Sequence, residues 1–90
     1  MIRVGVIGYG YWGPRVARNF HDLDDCELVL ISDQRPDALC RAKQTYPNVQ
    51  VTLDASEAVT SPNLDAVAVV TPVWTHFELA KAALENGKHV

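Results

Sequence analysis

A short β-branched run, Arg3-Val4-Gly5-Val6-Ile7, opens directly onto three glycines spaced Gly8-x-Gly10-x-x-Gly13, and residues 12–21 behind them read as a helix. A chain that passes from strand to helix in so few residues must lay the helix back against its own strand. Gly8 permits the tight turn, Gly10 lets a pyrophosphate approach backbone N–H groups, and Gly13 lets helix and strand pack closely. The turn ends at a helix N-terminus, whose free N–H groups and positive dipole end suit phosphate. Pro14 costs little so early in the helix, where its missing N–H would have no intrahelical partner. Gly-rich turns also arise for packing alone, so the motif leaves two readings open until its context is known.

The rest of the chain continues the alternation. Leu28-Val29-Leu30-Ile31 reads as a second strand. Pro36 suits the first turn of a helix over residues 36–46, with Leu39, Ala42 and Tyr46 on one face. Pro47 stops it, and Val49-Gln50-Val51 is a short third strand. Asp54 and Glu57 have capping-box spacing and open a brief helix that runs to about Val59. Residues 66–70 are apolar without alternation, as in a strand covered on both faces. Thr75 and Glu78 repeat the capping-box spacing at a last helix, expected to bury Phe77, Ala80 and Leu84. Its outer face is expected to pair Glu78 with Lys81 and Lys81 with Glu85. Gly87 supplies a stop, and Lys88-His89-Val90 reads as the start of a fifth strand. Strands alternating with helices predict a parallel α/β sheet with right-handed crossovers.

Composition narrows the function. Ninety residues, 48% hydrophobic and 21% charged, suffice for one modest core and exclude two domains. Dense apolar runs and a formal net charge of −3 argue against disorder. Eight basic residues against eleven acidic ones, with no two basic residues adjacent, form no stripe for a nucleic acid. The first residues lack a signal peptide's apolar stretch, and the longest apolar run, residues 66–70, is far too short to cross a membrane. Cys26 and Cys40 have no C-x-x-C partner and read as buried or idle thiols in a reducing cytoplasm, neither a disulfide nor a metal site.

In an open parallel sheet, ligands bind beyond the carboxyl ends of the strands. Asp33 stands at the second such end, twenty residues after Gly13, the spacing of a carboxylate that binds an adenine ribose. A carboxylate there accepts from the ribose hydroxyls and repels a 2′-phosphate, which favours NAD over NADP. Arg35 complicates that preference, because its guanidinium can stack on adenine or receive a 2′-phosphate. The competing reading of Asp33 is a helix-capping or solvated turn residue. The fourth strand ends in Thr71-Pro72-Val73-Trp74-Thr75-His76. By local chemistry His76 is a helix-start residue bonded to a neighbouring carbonyl, and Trp74 fits loop packing as well as a cofactor contact. Tyr9, Tyr11 and Trp12 either flank a dinucleotide or cover the sheet, while His21 and His89 read as structural.

Taken together, these residues resemble the N-terminal dinucleotide-binding domain of the Gfo/Idh/MocA oxidoreductases. The resemblance rests on residues 4–13, on Asp33, on Asp65-Ala66-Val67-Ala68-Val69-Val70-Thr71-Pro72, on Thr75-His76 and on residues 82–90. It implies a Rossmann-type doubly wound sheet, here its first half, and hydride transfer between NAD or NADP and a hydroxyl-bearing carbon of a sugar, sugar nucleotide or cyclitol. Gly8, Gly10, Gly13 and the backbone of Tyr11 and Trp12 would then hold the pyrophosphate, and Asp33 the adenosine ribose, with Gln34 and Arg35 near adenine. Thr71, Pro72, Trp74 and His76 would line the rest of the groove. The family's catalytic Glu-Lys-Pro lysine and its substrate domain, which supplies most of the oligomer interface, have no counterpart in these residues. The chain is therefore expected to be inactive alone. Arg15 stands where relatives tend to carry Asn, and a positive charge there opposes the helix dipole unless it faces phosphate. Two rivals are a non-catalytic NAD(H) sensor and an S-adenosylmethionine-dependent methyltransferase, whose glycine turn usually has a different spacing.

Overall fold

A computed structural model describes residues Met1–Val90. Four strands, β1 (Ile2–Ile7), β2 (Cys26–Ser32), β3 (Gln50–Thr52) and β4 (Ala66–Val69), form one sheet in the order β3-β2-β1-β4. All three pairings are parallel. The helices α1 (Gly13–Asp22), α2 (Pro36–Thr45), α3 (Ala55–Thr60) and α4 (His76–Glu85) make the crossovers. The expected doubly wound parallel sheet is present.

Side-chain alternation along the strands divides the core into two layers. Val6, Leu28 and Ile31 face α1 and α2, where Ala17, Ala38 and Ala42 are fully buried and let the helices lie close to the sheet. Ile7, Leu30 and Val67 face the other way, against Ala58, Val59 and Ala83 of α3 and α4. Tyr9 is buried in the first layer, so of its two readings it covers the sheet. Leu39, Ala42 and Tyr46 are buried as their spacing predicts.

Four local expectations on α3 and α4 are corrected. The α4 stripe expected to be buried faces outward: Phe77 is 74% and Leu84 61% exposed, while Ala83 is fully buried and Leu79 and Ala82 pack on the core. A one-turn 3-10 helix, Val73–Thr75, precedes α4 and rotates it on entry. That turn also abolishes the capping box, because the Thr75 hydroxyl donates to the Pro72 carbonyl (2.7 Å) and not to α4. The Glu78–Lys81 and Lys81–Glu85 ion pairs are not formed; the pairs present are Arg3–Asp65, Arg18–Asp22, His21–Asp22, Arg35–Asp33 and Arg41–Asp37. At α3, Asp54 does cap, but through the Ser56 N–H (2.9 Å).

Lys88 is buried, with its ammonium donating to the carbonyls of Ser61 and Leu64, and so ties the end of α4 to the loop before β4. Beyond it, His89 forms a parallel bridge with Ala66 at the expected fifth-strand position. The sheet's other tie at this end is a fork. Asp65 accepts from the Arg3 N–H (2.9 Å) and from Nε and Nη2 of its guanidinium (3.2 Å each).

The Arg3 hydrogen bonds hold the Asp65 carboxyl at about 2, below its usual 3.8. A depressed carboxylate stabilises the fold above its usual value and loses that contribution as pH falls through its folded one. Acid unfolding should therefore steepen below about pH 4. Asp65→Asn should flatten that limb of the stability–pH curve, and superimposable curves for the two proteins would contradict the assignment.

Candidate active-site cleft

The carboxyl ends of β1, β2 and β4 converge on a cleft of about 830 Å³. Gly8 begins it, at φ 102°, a left-handed conformation that L side chains rarely adopt. A Cβ there would lie 2.5 Å from the Val70 carbonyl oxygen. The Gly8 N–H donates to Ser32 (2.7 Å) and the Val70 N–H to Ile7 (2.8 Å), so the three strand ends are laced together at this turn. A Cβ on Gly13 would overlap the Gly8 carbonyl, which shows how closely α1 sits on the loop. The first turn of α1 holds Pro14, no acidic residue and no side-chain cap. Its positive end is thus open to an anion, and the glycines form a cradle that side chains would fill.

Asp33 is the cleft's most constrained charge. Its side chain is 9% exposed. Oδ2 accepts the Tyr9 N–H (2.7 Å), and Oδ1 accepts both the Arg35 N–H (2.8 Å) and Arg35 Nε (3.2 Å). Burial pushes its pKa up, but these donors outweigh burial and hold it below the usual carboxylate value. Asp33 therefore stays ionised and ties the glycine loop to the end of β2. The Arg35 guanidinium reaches back over Gly10, with Nη2 3.3 Å from where a Cβ would stand.

On the β4 side, the His76 Nε2–H donates to the Thr71 carbonyl (2.7 Å), and the Thr71 and Thr75 hydroxyls meet at 2.5 Å. His76 shapes the turn from behind and does not line the cleft. Trp74 does line it and is 80% exposed, as is Tyr11 at 76%. Gly8, Gly10, Tyr11, Asp33, Gln34, Arg35, Thr71, Pro72 and Trp74 share the cleft wall, whereas Trp12, Gly13 and His76 lie outside it. Arg15 stacks on Tyr11 and Trp12, its guanidinium carbon 5.6 and 5.1 Å from their ring centres, which relieves its unfavourable place at the helix start.

Sequence reasoning missed Ile7, Ser32, Val70, Ala55, Thr75, Glu78 and Leu79, which also line the cleft. Ile7, Ser32 and Val70 end or directly follow their strands, so the strand-end rule reaches them. Glu78 and Leu79 carry no such signal, because their place depends on the rotation of α4. No cluster of three or more His, Cys, Asp or Glu side chains is arranged to hold a metal, and no helix is long and apolar enough to cross a membrane.

Residues 2–90 match the family described as the oxidoreductase family, NAD-binding Rossmann fold. The Escherichia coli oxidoreductase YdgJ is 40% identical over 94 residues, covering 99% of this chain and 25% of YdgJ. Myo-inositol 2-dehydrogenase of Thermotoga maritima is 39% identical over 89 residues, covering 99% of this chain and 27% of the enzyme. The crystal structure of scyllo-inositol dehydrogenase from Lactobacillus casei, with bound NAD(H) and scyllo-inositol, superposes with a TM-score of 0.92 at 30% identity, over 100% of this chain and 27% of that one. The chain spans about a quarter of the length of these relatives.

Proposed function

The chain belongs to the Gfo/Idh/MocA oxidoreductase family, and on that footing we propose that its cleft binds NAD for hydride transfer to or from a hydroxyl-bearing carbon of a sugar, sugar nucleotide or cyclitol. Residues 1–90 act as the dinucleotide-binding domain of a longer, cytoplasmic and homo-oligomeric dehydrogenase, whose substrate domain and catalytic lysine lie elsewhere in that protein. Alone, these residues are inactive. The inositol dehydrogenases among the relatives support a cyclitol or sugar-like substrate.

The pyrophosphate lies on the cradle of Gly8, Gly10 and Gly13, against the backbone of Tyr11 and Trp12 and the start of α1. Asp33 takes an adenosine ribose hydroxyl at the lone pair its loop contacts leave free on Oδ2, with Gln34 and Arg35 beside adenine. Thr71, Pro72 and Trp74 line the rest of the cofactor groove, and His76 holds the Thr71 carbonyl in place. The bound cofactor supplies the hydride chemistry; these residues bind and orient it.

The observation that carries this reading is Asp33, an ionised and nearly buried carboxylate locked to a glycine loop at adjacent strand ends. Its acidic charge disfavours a 2′-phosphate, so NAD is the preferred cofactor and NADP the weaker one. Calorimetric titration of the full-length protein should show one site per chain for NAD, with NADP binding more weakly. Absence of binding by either dinucleotide would overturn the proposal. A non-catalytic NAD sensor would bind equally well, and turnover of a cyclitol or sugar by the full-length protein separates the two.

A further inference from the structure

The outward stripe of α4 is apolar where a free surface is usually polar. Phe77 and Leu84 are largely exposed, and the half-buried Ala80 lies between them, about one turn from each. At about 100° per residue these three share one flank of the helix, while the exposed Lys81 and Glu85 lie further round towards solvent. The opposite flank carries Ala82, which packs with Leu79 into the core layer that holds Ala55 and Ala58 of α3. Thus α4 has α3 on one side, the sheet beneath it and an uncovered apolar flank on the side away from α3. Contiguous apolar surface of this kind, rimmed by charged residues, marks an interface.

Strand order decides what covers that flank. His89 bridges Ala66 in parallel, with the Val67 N–H donating to the His89 carbonyl (2.9 Å) and the His89 N–H to that of Asp65 (3.0 Å), so the chain adds a strand outside β4. In a doubly wound sheet the strand that follows lies further out again, and the crossover leading to it is right-handed. That crossover therefore returns over the layer of α3 and α4, beside α4 and on its uncovered side. This chain spans about a quarter of the length of its relatives, which leaves ample polypeptide to form it. We propose that the Phe77, Ala80 and Leu84 flank is the docking face for the next crossover helix of the same polypeptide. That helix is amphipathic, runs parallel to α4 and sets its own apolar stripe against this one. The inference rests on the reading of these residues as one part of a longer protein. Ala80, the smallest of the three, lets the two helices approach most closely. Phe77 holds the partner helix at the cleft end, and Leu84 holds it at the far end.

The test places single cysteines, Phe77→Cys, Lys81→Cys and Leu84→Cys, in the full-length protein. Each is reacted with iodoacetamide under native conditions and read by peptide mapping. Phe77→Cys and Leu84→Cys should react at least about tenfold more slowly than Lys81→Cys, because a packed site reacts only through local opening. The protection should persist when the protein is dissociated to monomers. Leu84→Glu should lower the melting temperature of the full-length protein by about 5 °C or more, as a charge enters an apolar contact, and Lys81→Glu should barely change it. Labelling of Phe77→Cys and Leu84→Cys as fast as Lys81→Cys would overturn the inference, since the flank is then bare in the whole protein. Protection lost on dissociation would overturn it in favour of a second copy of the chain. The NAD reading fails separately, by absence of dinucleotide binding to the unsubstituted protein, and that failure leaves the labelling pattern untouched.

Discussion

Gly13→Ala should destabilise the fold by about 3 kcal/mol or more, the upper range for overpacking against atoms that cannot rotate away. The added Cβ meets the Gly8 carbonyl, which is backbone, and Gly8 is itself held by its N–H bond to Ser32 beside the Val70–Ile7 bond of the strand ends. Relief would require α1 to lift from β1, exposing Ala17 and its layer of the core. Gly8→Ala should be at least as damaging, since a contact 2.5 Å from the Val70 oxygen adds to a left-handed backbone that costs a side chain about 1–2 kcal/mol. Gly10→Ala supplies the contrast. Its Cβ meets only the mobile end of Arg35, so stability should hardly change while dinucleotide affinity falls. Urea unfolding of the three variants beside NAD titration reads both effects. A Gly13→Ala midpoint within error of the native one would mean that the loop and α1 are not packed as described.

Asp33→Ala should weaken NAD binding by about a hundredfold, the equivalent of one strong hydrogen bond to a charged group, and narrow the advantage over NADP. The same substitution removes the acceptor for the Tyr9 N–H and frees Arg35 from its tether. It should therefore also cost about 1–3 kcal/mol of stability, as the loop donor loses its partner. Because the folded-state pKa of Asp33 is depressed, its stabilising contribution is complete above the usual carboxylate value of 3.8 and declines as pH falls below it. Asp33→Asn separates the two roles, retaining an oxygen for Tyr9 while discarding the charge that repels a 2′-phosphate. If Asp33→Ala destabilised the protein but left both cofactor affinities unchanged, Asp33 would be a loop tether only.

The strands were legible because β-branched runs bounded by Gly and Pro have few alternatives. Residues 66–70, apolar throughout, did become a strand, ending one residue early at Val69, but only Val67 of it is fully buried and the rest is half-exposed. The α4 face was not legible. Phe77, Ala80 and Leu84 make as good an apolar stripe as Leu79, Ala82 and Ala83, and periodicity alone cannot choose between two stripes on one helix. The 3-10 turn decided it by redirecting Thr75 to Pro72. The same rotation put Glu78 at the cleft, where its sequence neighbours Lys81 and Glu85 had suggested a solvated ion-pair row.

Parallel topology, the glycine turn and the acid at position 33 are local or near-local features, each dictated by a few adjacent residues and the stereochemistry of strand and helix. They follow from the order of the amino acids without reference to distant contacts. Which carboxylates are spent on Arg3 and Arg35, and which one is left unpaired in the cleft, depends on how elements tens of residues apart come together. Burial makes the same distinction for Lys88, whose ammonium is taken up where the loop before β4 closes over it. Local stereochemistry built the scaffold, and packing of remote segments distributed its charge.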